Sequence, residues 1–283
     1  MTIDMSRLPA PNVVEPLDYE TILATIKADL LAIAPELGGV LALESEPATK
    51  LVEVFAYREL LLRARINDAA QSTMLAYARG ADLDNLAALL GVARLADETD
   101  DRLRSRAQLS LEGYSTAGPR LSYVYHALSA SNQVADVFVD SPTPGQVQVV
   151  VLAVMSAENP GGVPGPALLA QVQAALNADD VRPLCDTVSV VAAQVLTYAV
   201  SAAIICQPGP DATTLLSAAR AACQQYVTDQ FRLGHAITIS GLHAALHQPG
   251  VSRVDLYSPA DSVLVAGHQA ARCVAVDVQL GSV

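Results

Sequence analysis

The chain has no tryptophan, only three phenylalanines, and only two lysines, Lys27 and Lys50, in 283 residues. With so little lysine and a formal net charge of -12, no basic stripe is available to displace counterions from phosphates. That argues against nucleic-acid binding. Cysteine is scarce too: Cys185, Cys206, Cys223 and Cys273 form no CxxC pair. Free buried thiols are expected rather than a disulfide framework or a metal knuckle. The opening MTIDMSRLPAPNVVEP has no charged segment followed by an apolar run, so it is not read as a signal peptide. The most apolar stretch, Val188 to Cys206, is broken by Gln194, Thr197, Tyr198 and Ser201. It is rich in β-branched residues and bounded by PGP, which predicts strands rather than a membrane span.

What is present is a large apolar fraction, 52%, carried mostly by Ala, Val and Leu. That is enough for a packed core in more than one domain. "LPAPNVVEP" predicts an extended leader, because proline disfavours helix at itself and at the residue before it. Asp18 predicts an N-cap for a helix to about Ala34, stopped by Pro35.

The strongest helical signal is "SEPATKLVEVFAYRELLLRARINDAAQSTMLAYARG". Ser45 can cap it, Pro47 fits its first turn and Gly80 its end. Ala48, Val52, Phe55, Leu62, Ile66, Ala69 and Ala76 follow three-four spacing, broken only at Glu59 and Thr73, and Leu51, Val54 and Leu61 widen that stripe. Lys50, Glu53, Arg58, Arg65 and Asp68 are placed on the other side. A helix of about thirty residues spans ~45 Å, and its near-heptad stripe suggests a bundle, either within the chain or with another chain. A short helix capped near Asp82 follows.

"ADETDDRLRSRAQ" marks a composition shift and reads as a solvated linker and helix start. Beyond it helices and strands alternate. "PRLSYVYHALSAS" and "ALLAQVQAALN" are helical; "VADVFVD", "GQVQVVVLAV", "DTVSVVA", "VLTYAVSAAIIC", "HAITIS" and "RCVAVDVQL" read as strands; Asp211 caps another helix. The fold class is α+β: a helical N-terminal region with a long bundle-forming helix, then two small α/β domains. The expected division is 1–95, 96–205 and 206–283.

Residues 126–142 and 243–259 align without gaps, sharing His126/His243, Ala127/Ala244, Val134/Val251, Val137/Val254, Ser141/Ser258 and Pro142/Pro259. Both copies read helix end, loop, alternating strand, Ser-Pro turn, which suggests an internal repeat. The repeat bears on HAALH. Two histidines four apart on a helix can hold zinc, but a metalloprotease needs Glu at the second position, where Ala244 stands. The first copy has Ala130 where the second has His247. Packing histidines are the simpler reading. "GYSTA" around Ser115 loosely resembles a nucleophile elbow, yet it follows a helix and lacks the second glycine. "NPGGVPGP" is glycine-rich but no phosphate-binding lysine follows it. No enzyme, metal or cofactor is expected.

Five phrases in order, "LPAPNVVEPLDYETIL", "LESEPATKLVEVFAYRELLLRARINDAA", "DRLRSRAQLSLEGYSTAGP", "LNADDVRPLCDTVSV" and "FRLGHAITISGLHAALHQPGVSRVDLYSP", resemble the baseplate J-like family. These are wedge proteins of contractile-tailed bacteriophages and of related R-type bacteriocins. The resemblance covers nearly the whole chain. It implies a structural role without catalysis, metal or cofactor. The partners it implies are a second copy of the chain, a smaller neighbouring wedge protein, adjacent wedges, the hub and spike, and the baseplate proteins that initiate the sheath. It also implies assembly in the bacterial cytoplasm and then residence in the baseplate of a released phage or tail-like particle, with rearrangement on contraction. In that frame Ala48, Val52, Phe55, Leu62, Ile66 and Ala69 form the bundle seam. The "LGVARLADETDDR" connection is short compared with longer relatives, so contacts of a loop there are not carried over. The rival readings are an unrelated oligomeric scaffold or adaptor, and a hydrolase using Ser115 or a metal at His243 and His247.

Overall fold

A computed structural model describes residues 3, 5, 8–9, 11–115, 117–207 and 211–281. Ala10 of the leader, Thr116 beside Ser115, and Pro208, Gly209 and Pro210 lie outside the described residues. The chain divides into two compact units, residues 1–94 with 99–108, and 95–98 with 109–283. The architecture is α+β, with a helical first unit and two small three-stranded sheets in the second.

In the first unit α1 (Tyr19–Ile33) begins where expected, with the Asp18 carboxylate accepting from the backbone N–H groups of Glu20 and Thr21. It ends at Ala34, and Pro35 opens a 3₁₀ turn. A four-residue helix, α2 (Gly38–Leu41), leads to α3 (Pro47–Ser72), which packs on α1. Glu46, not Ser45, is the N-cap, and Pro47 takes the first helical position, where no donor is needed. The helix has 26 residues, roughly 39 Å, and stops eight residues before Gly80. The reason is Arg104. Its Nε and Nη2 donate to the carbonyls of Leu75 and Ala78, both at 2.8 Å, which holds that stretch in turns. Gly80, at φ +51°, instead starts α4 (Gly80–Leu89), with Arg79 rather than Asp82 at the cap.

The acidic run is also less solvated than expected. Asp100, in the first turn of α5 (Asp100–Gly113), accepts from Gly80 N at 3.0 Å and pairs with Arg94 at 2.7 Å. Arg94 pairs with Asp84 as well. These bonds hold the Asp100 carboxyl below the ordinary aspartate range, the Gly80 N–H contributing most. Glu98 is buried and accepts from Leu95 N. The last residues of α5 belong to the second unit.

The second unit holds two lobes. In the first, α6 (Arg120–Ala130) leads into β1 (Val134–Asp140), which pairs antiparallel with β2 (Gln146–Ala153); β2 crosses through α7 (Pro166–Leu176) to the parallel β3 (Thr187–Ala192). In the second, β4 (Gln194–Cys206) is central. It runs antiparallel to β5 (Val251–Ser258) and parallel to β6 (Gln269–Leu280), with α8 (Ala212–Asp229) and α9 (Ile239–Leu246) between β4 and β5. Both partners of β4 lie after it in the chain. The strand therefore belongs with the second sheet, and the expected break after residue 205 falls at its end rather than before it. The first part of "HAITIS" forms only an isolated bridge, Ile237 to Val263.

The two lobes share one plan. A central strand has an antiparallel neighbour on one side and a parallel neighbour on the other. α7 packs on α6 and β3, as α8 packs on α9 and β6. The aligned segments of the sequence repeat are α6–β1 and α9–β5. Each lobe has its own core: Val137, Val149, Leu168 and Val172 in the first, Val200, Ile204, Cys223 and Leu242 in the second. A third cluster, Val150, Leu152, Ala193, Leu233 and Ala270, joins the lobes.

Glycine makes that close approach possible. A Cβ on Gly267 would stand 2.5 Å from the Phe138 ring, and one on Gly162, at φ +81°, 2.7 Å from Phe231. The "NPGGVPGP" loop is thus a packing element. Its buried Asn159 orders it by accepting from Gly165 N at 2.9 Å.

Candidate assembly surface

α3 has two apolar faces, and they differ in kind. At about 3.6 residues per turn, Thr49, Val52, Ala56 and Asn67 fall on one face, and all four are buried within the chain. This face is built from small and polar side chains. Thr49 Oγ1 donates to Val40 O. Asn67 accepts from Glu15 N through Oδ1 at 3.2 Å and donates to Glu15 O through Nδ2 at 2.8 Å. That two-way bond lays the leader along the helix, helped by Arg63, which pairs with Glu15 and Glu59.

The large apolar residues point the other way. Phe55 and Leu62 are each 63% exposed, and Leu51, Val54, Leu61 and Ile66 are exposed too. Of the six residues expected in the seam, Phe55, Leu62, Ile66 and Ala69 are exposed on this face and Ala48 is half-buried at its margin. Val52 differs from them: at 6% exposure it packs in the chain's own core. Three-four spacing alone cannot separate two apolar faces that together cover most of a helix. The polarity of Thr49 and Asn67 hides the inner one.

Arg58 and Arg65 also depart from expectation. Arg58 stands between Phe55 and Leu62 on the exposed ridge, and Arg65 between Leu62 and Ala69, at steps of three and four. Both are exposed, and neither makes an ion pair among the described residues. The exposed face is therefore apolar with two unpaired guanidinium groups. Left in water it forfeits burial worth about 1.5–3 kcal/mol for each large side chain.

The other candidate residues are not brought together. His243 lies half-buried in the last turn of α9 and His247 is its exposed C-cap, donating its backbone N–H to His243 O at 2.9 Å. Among the described residues no group of three His, Cys, Asp or Glu side chains converges on a metal position. Ser115 is exposed just past α5. All four cysteines are free, but only Cys223 is fully buried, and Cys185 is exposed. Burial pushes the Cys223 thiol up to about 11, far from a nucleophile's range. Among the described residues no helix is long and apolar enough to cross a membrane.

Three family models match along the chain: the Baseplate J-like N-terminal domain over residues 44–101, the Baseplate J-like central domain over 115–192 and the Baseplate J-like protein C-terminal domain over 198–279. The chain is also 42% identical to "Baseplate protein J" of Escherichia phage P2, covering 99% of this chain and 98% of that protein. The first match contains all of α3, and the third contains β5 and most of β4 and β6.

Proposed function

Because this chain belongs to the baseplate J-like family, we propose that it is a structural wedge subunit of a contractile-tail baseplate, acting by assembly and rearrangement rather than by catalysis. The observation that carries the mechanism is the exposed face of α3. Two copies of the chain and one smaller neighbouring wedge protein share a helical seam, to which each copy contributes Leu51, Phe55, Leu62, Ile66 and Ala69, with Ala48 at the edge. Carboxylates on the partner meet Arg58 and Arg65, so the seam has a fixed register as well as apolar area. In this scheme residues 1–95 form the core-bundle region, and the two lobes contact adjacent wedges, the hub and spike, and the sheath-initiating proteins. The complex forms in the bacterial cytoplasm and ends in the baseplate of a phage or a tail-like bacteriocin.

The test is genetic and visual. Deleting the gene in the producing bacterium should leave no finished contractile tails by electron microscopy, with assembly restored by the wild-type chain in trans. Normal, contracting tails in the deletion strain would contradict the proposal.

A further inference from the structure

Open sheet edges present unpaired backbone groups that template association, and proteins cover them. Among the described residues, side chains or a loop bond to outward groups on three of the four edges here. At the start of β3, Thr187 N donates to Gly145 O, just before β2, and just past its end Ala193 N donates to Val151 O of β2, so Val188 and Val190 face outward. There Gln173 acts as a short strand: its Nε2 donates to Val188 O and its Oε1 accepts from Val190 N, both at 2.8 Å. In β1 the outward N–H of Val137 donates to Asp136 Oδ1 at 2.8 Å. In β6 the outward carbonyl of Val278 accepts from Arg220 Nε at 2.9 Å and Nη2 at 2.5 Å, and Leu233 bridges to Ala270.

β5 is the exception. Gly281 N donates to Ile204 O at 2.9 Å, which aims Ile204 at β6. Ala203 and Ile205 therefore face β5, and their register partners Asp255 and Arg253 face back. Val254 and Leu256 then turn their N–H and C=O groups away from the sheet. Among the described residues nothing bonds to them.

We propose that this edge pairs with the same edge of a second copy of the chain, antiparallel, about a twofold axis through Val254. In that register Val254 faces its own counterpart and exchanges both backbone bonds, as a hydrogen-bonded antiparallel pair does. Arg253 of each copy stands opposite Asp255 of the other, so unlike charges meet twice. The sequence is self-complementary in this one register; a shift by two places like charges opposite each other. Arg253 and Asp255 share a sheet face, as their ion pair at 2.8 Å within the chain shows. Register shifts at both ends of the β4–β5 pairing confine the regular part of β5 to Arg253–Leu256. The contact is therefore short, suited to a reversible junction between copies. It uses β5 of the second unit rather than α3 of the first and does not depend on the wedge reading.

The experiment uses the full chain carrying Phe55→Asp and Leu62→Asp, so that the α3 face cannot associate, in sedimentation velocity over a concentration series at low salt. A monomer–dimer equilibrium is expected. Arg253→Asp should raise its dissociation constant about tenfold, and adding Asp255→Arg to it should restore the dimer. Val254→Pro should abolish dimerisation while thermal melting stays cooperative, because that N–H makes no bond within the chain. A chain that stays monomeric, whether the edge is idle or taken only by another protein's strand, overturns the proposal. So does a dimer indifferent to these three changes. Neither outcome bears on the α3 seam, which is silent in this background.

Discussion

At the scale of the residue, a few polar side chains do what backbone pairing does elsewhere. Asn67 is one. Removing it leaves the Glu15 N–H and C=O without their partner, and Asn67→Ala should cost about 1–3 kcal/mol in a denaturant melt of the full chain. Faster proteolytic clipping of the leader near Pro16 should accompany it, and an unchanged clipping rate would argue that proline alone holds the leader.

Asp136 is another. Its second oxygen accepts from Leu233 N at 2.9 Å, so it guards the β1 edge and fastens the two lobes together. Burial raises its pKa above the usual aspartate value against the pull of these bonds. The native state therefore holds the proton to higher pH than the unfolded chain does. Stability contributed at this position falls as pH rises from the ordinary value through the raised one. Asp136→Asn should flatten that part of the stability–pH curve, measured by thermal melts between about pH 4 and 7. A parallel curve for the variant would show that Asp136 is not the titrating group. None of this was legible in the sequence. "VADVFVD" reads as an alternating strand, and nothing in its pattern says that its aspartate turns back to cap the edge.

At the scale of the element, the sequence was most informative where a side chain acts on its own helix or strand. Asp18 and Asp211 cap α1 and α8 as their positions suggest, and the strands from β1 to β6 lie where alternation and β-branching put them. It was least informative where a distant residue decides. The end of α3 is set by Arg104, in a helix that begins 28 residues after Ser72, and the periodicity simply runs on past it. The edge of β3 is closed by Gln173 from α7. Gln173→Leu should leave two outward backbone groups bare and give a chain that self-associates more readily, seen as concentration-dependent light scattering. If scattering stays at the wild-type level, that edge is protected by something other than the Gln173 amide.

At the scale of the whole molecule, the repeat found in the sequence marks a shared plan with a different chain order. The first lobe runs α6–β1–β2–α7–β3 and the second β4–α8–α9–β5–β6. The helix–strand pair precedes the central strand in one and follows the crossover helix in the other. Only that pair, α6–β1 against α9–β5, keeps its local order, so only there does a collinear match appear. The division at 205 keeps β4 with the first lobe, whereas both strands that pair with it follow it in the chain.

The helical seam was legible as a stripe but not as a surface. Telling Val52 from Phe55 requires knowing which face α1 and the leader already occupy. Assembly through the exposed face of α3 is directly measurable. The chain co-expressed with the smaller protein of the adjacent tail gene should elute as one species, with a mass by light scattering of two copies to one. Phe55→Asp with Leu62→Asp should break it into folded components, whereas Val52→Ala should lower stability and leave the stoichiometry intact. A complex that survives loss of Phe55 and Leu62 would contradict the account, as would a wild-type chain that ignores its neighbour.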